Sequence, residues 1–446
     1  MAKSGFSYSL DEIKQMSQDV LKVAKSLGAS ASEVDVSLSV GQNVSVRLGE
    51  TETIEYNRDK GMSVTVYFGQ QKGHASTSDL NSQALKDTVA AACNIAKYTA
   101  KDDFCGLADA DLMANHVADL NLYHPWSVTV EEAIEIAKTC EQAAMAVDTR
   151  IVNSEGASIS SGEGCFVYSN SHGFTGGYAT SRHSISCSVI AEADGNMQRD
   201  YWYSTARAAV DLDSAQAVGL KAGERTVRRL NSKKINTCQV PVLFEAPLAS
   251  GLISSLVSAI SGGSLYRKSS FLLDSLGKQI ASPQLNIYEN PHVEKGLASS
   301  YFDNEGVATK PRQLVQDGVL QGYVLGSYSA RKLGMQTTGN AGGNHNLIVQ
   351  SGEYDLAGLL KCMGTGLLVT ELLGHGMNMV TGDYSRGAAG FWVENGVIVH
   401  AVEEITIASN MADMLKNIVE IGSDVLVQGS KQVGSILIER MTVASE

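Results

Sequence analysis

Residues 9–28 read SLDEIKQMSQDVLKVAKSLG and residues 33–69 read EVDVSLSVGQNVSVRLGETETIEYNRDKGMSVTVYFG; the change of period between these stretches decides the fold class. In the first, apolar side chains recur at Ile13, Met16, Val20, Val23 and Leu27, the spacing of one helix face. Ser9 and Glu12 are placed as a capping box, which closes two otherwise free backbone N–H groups at a helix start. Gly28 suits the left-handed residue that ends a helix. In the second stretch apolar and polar residues alternate over Glu33–Val40, Asn43–Gly49, Thr51–Tyr56 and Met62–Gly69, with Gly, Asn and Asp between the runs. That pattern predicts short strands in an antiparallel meander. A second helix is expected over about Leu80–Thr99.

The same order then restarts. Thr129 and Glu132 form another capping box, opening a helix to about Val147. Strand patterns follow at Ile151–Ser160, Cys165–Ser169, Ser184–Ala191 and Asp200–Ala206, and a helix over Ser214–Leu230 closes the unit. The reading is α+β: a helix–meander–helix unit over 1–100, a linker or wrapped loop over 101–125, and a similar central unit over 126–235. Residues 236–446 form a large, glycine-rich, mainly β domain. Within it Asp317–Gly318 and Asn395–Gly396, each between alternating apolar runs, predict two-residue hairpins. Helical patches are expected at Pro247–Ser261, Leu356–Cys362 and Ser409–Val419.

Bulk composition narrows the function classes. The chain of 446 residues is 43% hydrophobic and 19% charged, ordinary for a folded protein. A formal net charge of −13 repels phosphate backbones, so direct nucleic-acid binding is not expected. The densest basic clusters, Arg225 to Arg229 and Lys233–Lys234, read as a cationic helix end. Seven cysteines stand singly at 93, 105, 140, 165, 187, 238 and 362, without a CxxC pair, and read as reduced thiols of a cytoplasmic protein. The N-terminal MAKSGFSYSLDEIKQ lacks an apolar signal core, and no uncharged apolar run reaches the ~18 residues of a membrane span.

Motif by motif, most hydrolytic chemistries are unsupported. A helical zinc site needs two histidines about one turn apart, and none of the nine histidines lies three to five residues from another. There is no G-x-S-x-G elbow and no P-loop. Gly364-Thr365-Gly366 reads as a turn rather than part of a dinucleotide fingerprint. The densest local chemistry lies in ELLGHGMNMVTGDYSRGAAGFW, residues 371–392, where His375, Asp383, Tyr384, Ser385 and Arg386 sit among glycines. A long irregular loop there would serve peptide or partner binding; the plainer reading pairs Asp383 with Arg386 in a tight loop.

Several longer segments together resemble the TldD/PmbA family, also labelled modulators of DNA gyrase. They are PVLFEAPLASGL (241–252), YFDNEGVATKP (301–311), DGVLQGYVLGSYSARKLGMQTTGN (317–340) and GDYSRGAAGFWVENG (382–396), with RLGETETIEYNRDKGMSVTVYFG (47–69) near the start. The resemblance spans nearly the whole chain and is nearest the PmbA branch, also called TldE. In the TldD branch a helix carries H-E-x-x-x-H, and a cysteine near the C-terminus completes a zinc site. Here Glu245 and Ser250 stand at the histidine positions, Ala246 stands at that of the general base, and VLVQGSKQVGSILIERMTV near the C-terminus has no cysteine. The resemblance thus implies a chain without its own zinc or catalytic residue, paired in a heterodimer with a TldD-like catalytic subunit that holds the metal. The pair would degrade or process unfolded, extended peptides. A homodimer is open to the chain when the partner is absent, symmetric pairs being the commonest assembly. Two alternatives stand beside it: a self-sufficient peptidase with a non-standard site such as Glu245, His375 and Asp383, or a non-enzymatic regulator of gyrase.

Overall fold

The computed structural model describes residues 5–116 and 119–445; residues 1–4, 117–118 and 446 lie outside it, and with them the start of the N-terminal segment and part of the 101–125 stretch. Helix α1 (Leu10–Ser26) begins as its sequence requires: Ser9 N–H donates to Glu12 Oε2 at 2.7 Å and Glu12 N–H to Ser9 Oγ at 3.3 Å. Strands β1 (Ala31–Arg47), β2 (Glu50–Phe68) and β3 (Gln71–Thr77) follow, then α2 (Ser82–Tyr98). The second unit repeats this as α3 (Val130–Met145), β4 (Ile151–Asn170), β5 (Thr175–Ala193), β6 (Asn196–Ala206) and α4 (Ala215–Val227).

The two meanders share one antiparallel sheet in the order β3-β2-β1-β4-β5-β6, joined through β1 and β4. Its strands are longer than expected: β1 has 17 residues and β4 has 20, running through the glycines that the sequence reading took as breaks. The register explains this. Gly41 pairs with Asn57 on one side and Gly162 on the other. A central glycine keeps both backbone hydrogen-bonding groups, so the ladder passes through it. A Cβ on Gly41 would lie 2.3 Å from Asn57 Oδ1, so a larger residue there would have to displace the exposed Asn57 side chain.

Even-numbered β1 side chains lie on one face. Val34, Val36 and Leu38 are buried there with α1 and α2, and Val44 and Val46 with α3 and its neighbours. Helices α3 and α4 approach closely because α4 carries glycine at the contact: a Cβ on Gly219 would lie 2.0 Å from the Cys140 carbonyl oxygen. On the opposite face Tyr168, with Phe166 and Tyr178 beside it, packs against Tyr301 and Phe302, part of a segment that the family resemblance had singled out. Residues of the 101–125 stretch run between the two layers. Ala308 N–H donates to the Leu112 carbonyl at 2.9 Å, and Ser181 N–H to that of Leu122 at 3.0 Å.

The C-terminal region holds two further six-stranded sheets among the described residues. One orders Val397–Asn410, Asp383–Glu394, Gly366–Leu373, β7 (Cys238–Phe244), Ile436–Ser445 and Ile418–Ile421. Strand Ile436–Ser445 also pairs with Val397–Asn410, closing that sheet on itself. Helix α5 (Ala246–Ala259) leaves β7 directly. Both expected hairpin turns are present, with φ of 48° and 75° at Asp317–Gly318 and 51° and 75° at Asn395–Gly396, positive at both central residues.

Two local expectations change. The irregular loop of residues 371–392 shortens to 374–382, because Gly366–Leu373 and Asp383–Glu394 are strands of one hairpin. The helix expected over Ser409–Val419 contracts to Met411–Lys416, since Asn410 still ends a strand and Ile418 starts the next. Short helices at Gly262–Tyr266 and Ser327–Lys332 had no clear sequence signal. The cysteines are free thiols, four of them buried, and burial pushes the Cys165 thiol up to about 11. No helix among the described residues is long and apolar enough to cross a membrane.

Candidate functional site

The junction of β7 and α5 sets the position that the sequence singled out. β7 lies between Gly366–Leu373, which is parallel to it, and Ile436–Ser445, which is antiparallel. Phe244 is fully buried, and Glu245 turns the chain into the helix: its N–H donates to the Val369 carbonyl at 3.1 Å while its own carbonyl receives Leu248 N–H and Ala249 N–H. Pro247 occupies the first turn, where the helix has no use for its missing N–H.

Glu245 is at the N-cap, yet its carboxylate makes no capping bond. It is turned toward α4 instead. Oε2 lies 2.9 Å from Arg225 Nη1, and Oε1 lies 3.1 Å from Arg228 Nη2. Arg225 Nε is also 3.4 Å from Asp200 Oδ1, and Arg229 pairs with Asp200 and with Glu371. Three guanidiniums thus face three carboxylates, and the cluster is neutral as a whole. Arg225, Asp200 and Glu245 are 5%, 4% and 7% exposed. Burial works against the Arg225 charge, but Glu245 and Asp200 outweigh it and hold the guanidinium above its ordinary value. Arg225 also lies over the Trp202 ring, 5.2 Å from its centroid, and Arg228 over Phe391 at 5.0 Å. The run RTVRR is therefore not the solvated cationic helix end that composition suggested. Spacing of three and four places Arg225, Arg228 and Arg229 on one side of the chain, turned inward to carboxylates from β6, β7's end and the neighbouring strand.

Ala246 and Ser250 complete the frame. Ala246 N–H donates to Ser435 Oγ at 3.0 Å, and Ser435 Oγ donates in turn to Asp424 Oδ2 at 2.6 Å. Ser250 Oγ donates to the Pro247 carbonyl at 2.9 Å, inside its own helix. Zinc sites are built from imidazole, thiolate and carboxylate donors in tetrahedral sets. Here the one carboxylate already neutralises two guanidiniums, Ala246 has no donor atom, and Ser250 is a hydroxyl. These three residues do not fit a metal ion. Among the described residues no group of three or more His, Cys, Asp or Glu side chains is arranged to hold one.

The second predicted group lies on the hairpin beyond. His375 is exposed in the 374–382 turn, while Asp383, Tyr384, Ser385 and Arg386 begin the next strand. Asp383 and Arg386 are not paired. Asp383 accepts from Thr381 Oγ1 at 2.6 Å and Asn410 Nδ2 at 3.3 Å, whereas Arg386 Nη2 donates to the Gly374 carbonyl at 2.7 Å. Ser385 N–H donates to the Gly376 carbonyl at 2.7 Å, so these contacts brace the hairpin. Tyr384 is 4% exposed, burial raises its pKa, and its hydroxyl has no hydrogen-bond partner among the described residues. No hydrogen bond joins Glu245 to His375 or Asp383 among the described residues.

A cleft runs beside the frame. A cavity of about 230 Å³ is lined by Ser250, Ser254, Pro247, Tyr203, Gln428 and Lys431 among others. One of about 210 Å³, with Asp200, Trp202, Arg225 and Thr370, adjoins it and shares Tyr203, Pro247 and Gln428. Strand β6 is the last in its sheet, and its outer edge meets this cleft, where Gln428 Nε2 donates to the Tyr203 carbonyl at 2.8 Å. The sequence reading missed Asp200, Thr370, Gln428 and Lys431 because they come from distant segments and no local pattern links them.

Known proteins with this organisation are readily found. Residues 32–96 match the PmbA/TldA metallopeptidase domain 1, residues 123–230 the PmbA/TldA metallopeptidase central domain, and residues 237–445 the PmbA/TldA metallopeptidase C-terminal domain. The Metalloprotease PmbA of Escherichia coli O157:H7 is 50% identical over 426 residues, 96% of this chain and 94% of that protein. The Metalloprotease PmbA homolog of Haemophilus influenzae is 50% identical over 434 residues, 97% and 96% of the two chains. Among solved structures, a Bacteroides thetaiotaomicron protein provisionally named a modulator of DNA gyrase superposes with a TM-score of 0.93 at 30% identity, covering 98% of this chain and 99% of that one.

Proposed function

The chain belongs to the PmbA/TldA metallopeptidase family, the TldD/PmbA family of the sequence resemblance, and from that premise we propose that it is a PmbA/TldE-type subunit of a heterodimeric zinc peptidase, without a zinc ion or catalytic base of its own. A TldD-like partner carrying H-E-x-x-x-H supplies both. This chain shapes the shared chamber and holds unfolded, extended peptides for degradation or processing in the cytoplasm.

One observation carries the reading. Glu245, at the position of a zinc-ligating histidine, has both carboxylate oxygens committed to Arg225 and Arg228. A ligand replaced by a satisfied member of an ionic cluster is spent on holding α4 against the C-terminal region. The adjacent cleft and the outer edge of β6 support the peptide-holding part. An extended peptide bonds to a strand edge through its backbone and needs little sequence preference.

The two other readings have less support. A self-sufficient site of Glu245, His375 and Asp383 would need His375, exposed in a turn, beside a carboxylate that two guanidiniums already occupy. Direct action on gyrase-bound DNA runs against the net charge of −13. The test is purification of the chain from native cells with identification of what accompanies it. The proposal expects a chain bearing H-E-x-x-x-H in equimolar amount. Recovery with gyrase, or without any such chain, overturns it.

A further inference from the structure

We propose that Lys431, in the pocket between α5 and the 426–431 segment, binds a carboxylate of a peptide lying across the cleft. The inference rests on the peptide-holding reading and adds the chemistry by which one end of the ligand is fixed.

In the neighbouring cluster every guanidinium has carboxylate partners. Lys431 lines the adjoining cavity and has none among the described residues. Its ammonium has only Ser430 Oγ, at 3.3 Å, and no carboxylate among the described residues lies within ion-pairing distance. A half-buried ammonium without a counter-charge is unfavourable, and an incoming anion relieves that cost. Burial accordingly lowers the Lys431 pKa. The pocket of about 230 Å³ has room for a residue or two, and its remaining polar lining, Ser250, Ser254 and Gln428, carries no negative charge.

A second observation points to the class of ligand. Thr370, 5% exposed, lines the adjoining pocket, and its hydroxyl has no hydrogen-bond partner among the described residues. The two pockets share Tyr203, Pro247 and Gln428, so one ligand can occupy both. Such a ligand needs an anionic group at one end and backbone-like hydrogen-bonding groups at the other, flanked by Tyr203 and Pro247. A peptide with a free C-terminal carboxylate, or with an Asp or Glu side chain near that end, meets this description. A neutral peptide does not.

The experiment uses the full chain and a short unstructured peptide with an N-terminal fluorophore, followed by anisotropy. The peptide is made with a free C-terminal carboxylate, as the C-terminal amide, and as the amide with a glutamate near its end. Amidation is expected to weaken binding roughly tenfold or more, the loss of one charge-assisted contact. K431M should bring the free acid to the level of the amide, with K431R restoring the difference, while the urea midpoint of each variant checks folding. Recovery of binding by the glutamate form assigns the site to acidic side chains; no recovery assigns it to the C-terminus. Equal binding of acid and amide, or discrimination that survives K431M, overturns the Lys431 inference and leaves the peptide-holding reading standing. Failure of the chain to bind any form overturns both.

Discussion

Exchanging Glu245 for glutamine removes one charge from the buried arginine–carboxylate cluster and leaves the side chain's shape almost unchanged. The native cluster sets Arg225, Arg228 and Arg229 against Asp200, Glu245 and Glu371. In E245Q it carries an excess positive charge: the amide oxygen keeps one of the two contacts, at 2.9 Å or 3.1 Å, without its anionic acceptor, and the amide NH2 turns a donor toward the other guanidinium, which loses its contact. Removing one partner of a buried ion pair costs about 3–5 kcal/mol. Two features place this case at the lower end. Arg225 keeps Asp200, and the Arg228 side chain, 29% exposed, is partly reached by water. The expected loss is about 3 kcal/mol, read as a lowered urea midpoint. S250A serves as a control, since its hydroxyl bonds only within the helix, and should stay within about 0.5 kcal/mol of the native chain. A cycle with R228M should give a coupling of about 1–2 kcal/mol between positions 245 and 228. If E245Q unfolds within about 0.5 kcal/mol of the native chain, the carboxylate is not locked by its arginines and the account of this position is wrong.

Other expected outcomes follow from the same geometry. Restoring the family motif as E245H/A246E/S250H should bring no stoichiometric zinc by metal analysis and should lower the thermal midpoint, because Arg225 and Arg228 remain and no third ligand is supplied. G219A should destabilise by about 1–3 kcal/mol or more in urea, since the added methyl would sit 2.0 Å from the Cys140 carbonyl oxygen. His183 is fully buried, with Nε2 2.8 Å from the His124 carbonyl oxygen, and burial holds its pKa below the ordinary value. The folded value lies below the unfolded one, so this residue's contribution is present above about pH 6.5 and is lost as pH falls from there. Thermal midpoints against pH should show that fall, with a shallower slope in His183→Gln.

How much of this was legible in the sequence depended on whether the signal was local. Capping boxes at Ser9 and Thr129, the period-two runs of β1 and β4, and the Asp317–Gly318 and Asn395–Gly396 turns are fixed by neighbours within a few residues, and all are present. Strand length was not legible, because Gly41 reads as a break in isolation and becomes a ladder residue only between β2 and β4. The resemblance located Glu245, Ala246 and Ser250, but the environment of Glu245 was hidden. The arginines were visible as RTVRR, yet nothing local told a solvated helix end from a buried cluster whose acids come from positions 200, 245 and 371. Lys431 was still less visible, since its significance is that no carboxylate among the described residues lies within ion-pairing distance of it.

The central claim is that the metal and the base belong to a partner, and one measurement addresses it directly: zinc content and peptide cleavage of the purified chain, alone and after mixing with a chain that carries H-E-x-x-x-H. The account predicts no stoichiometric zinc and no cleavage from this chain alone, and cleavage with one zinc per pair after mixing. Stoichiometric zinc together with robust cleavage by this chain alone would contradict it.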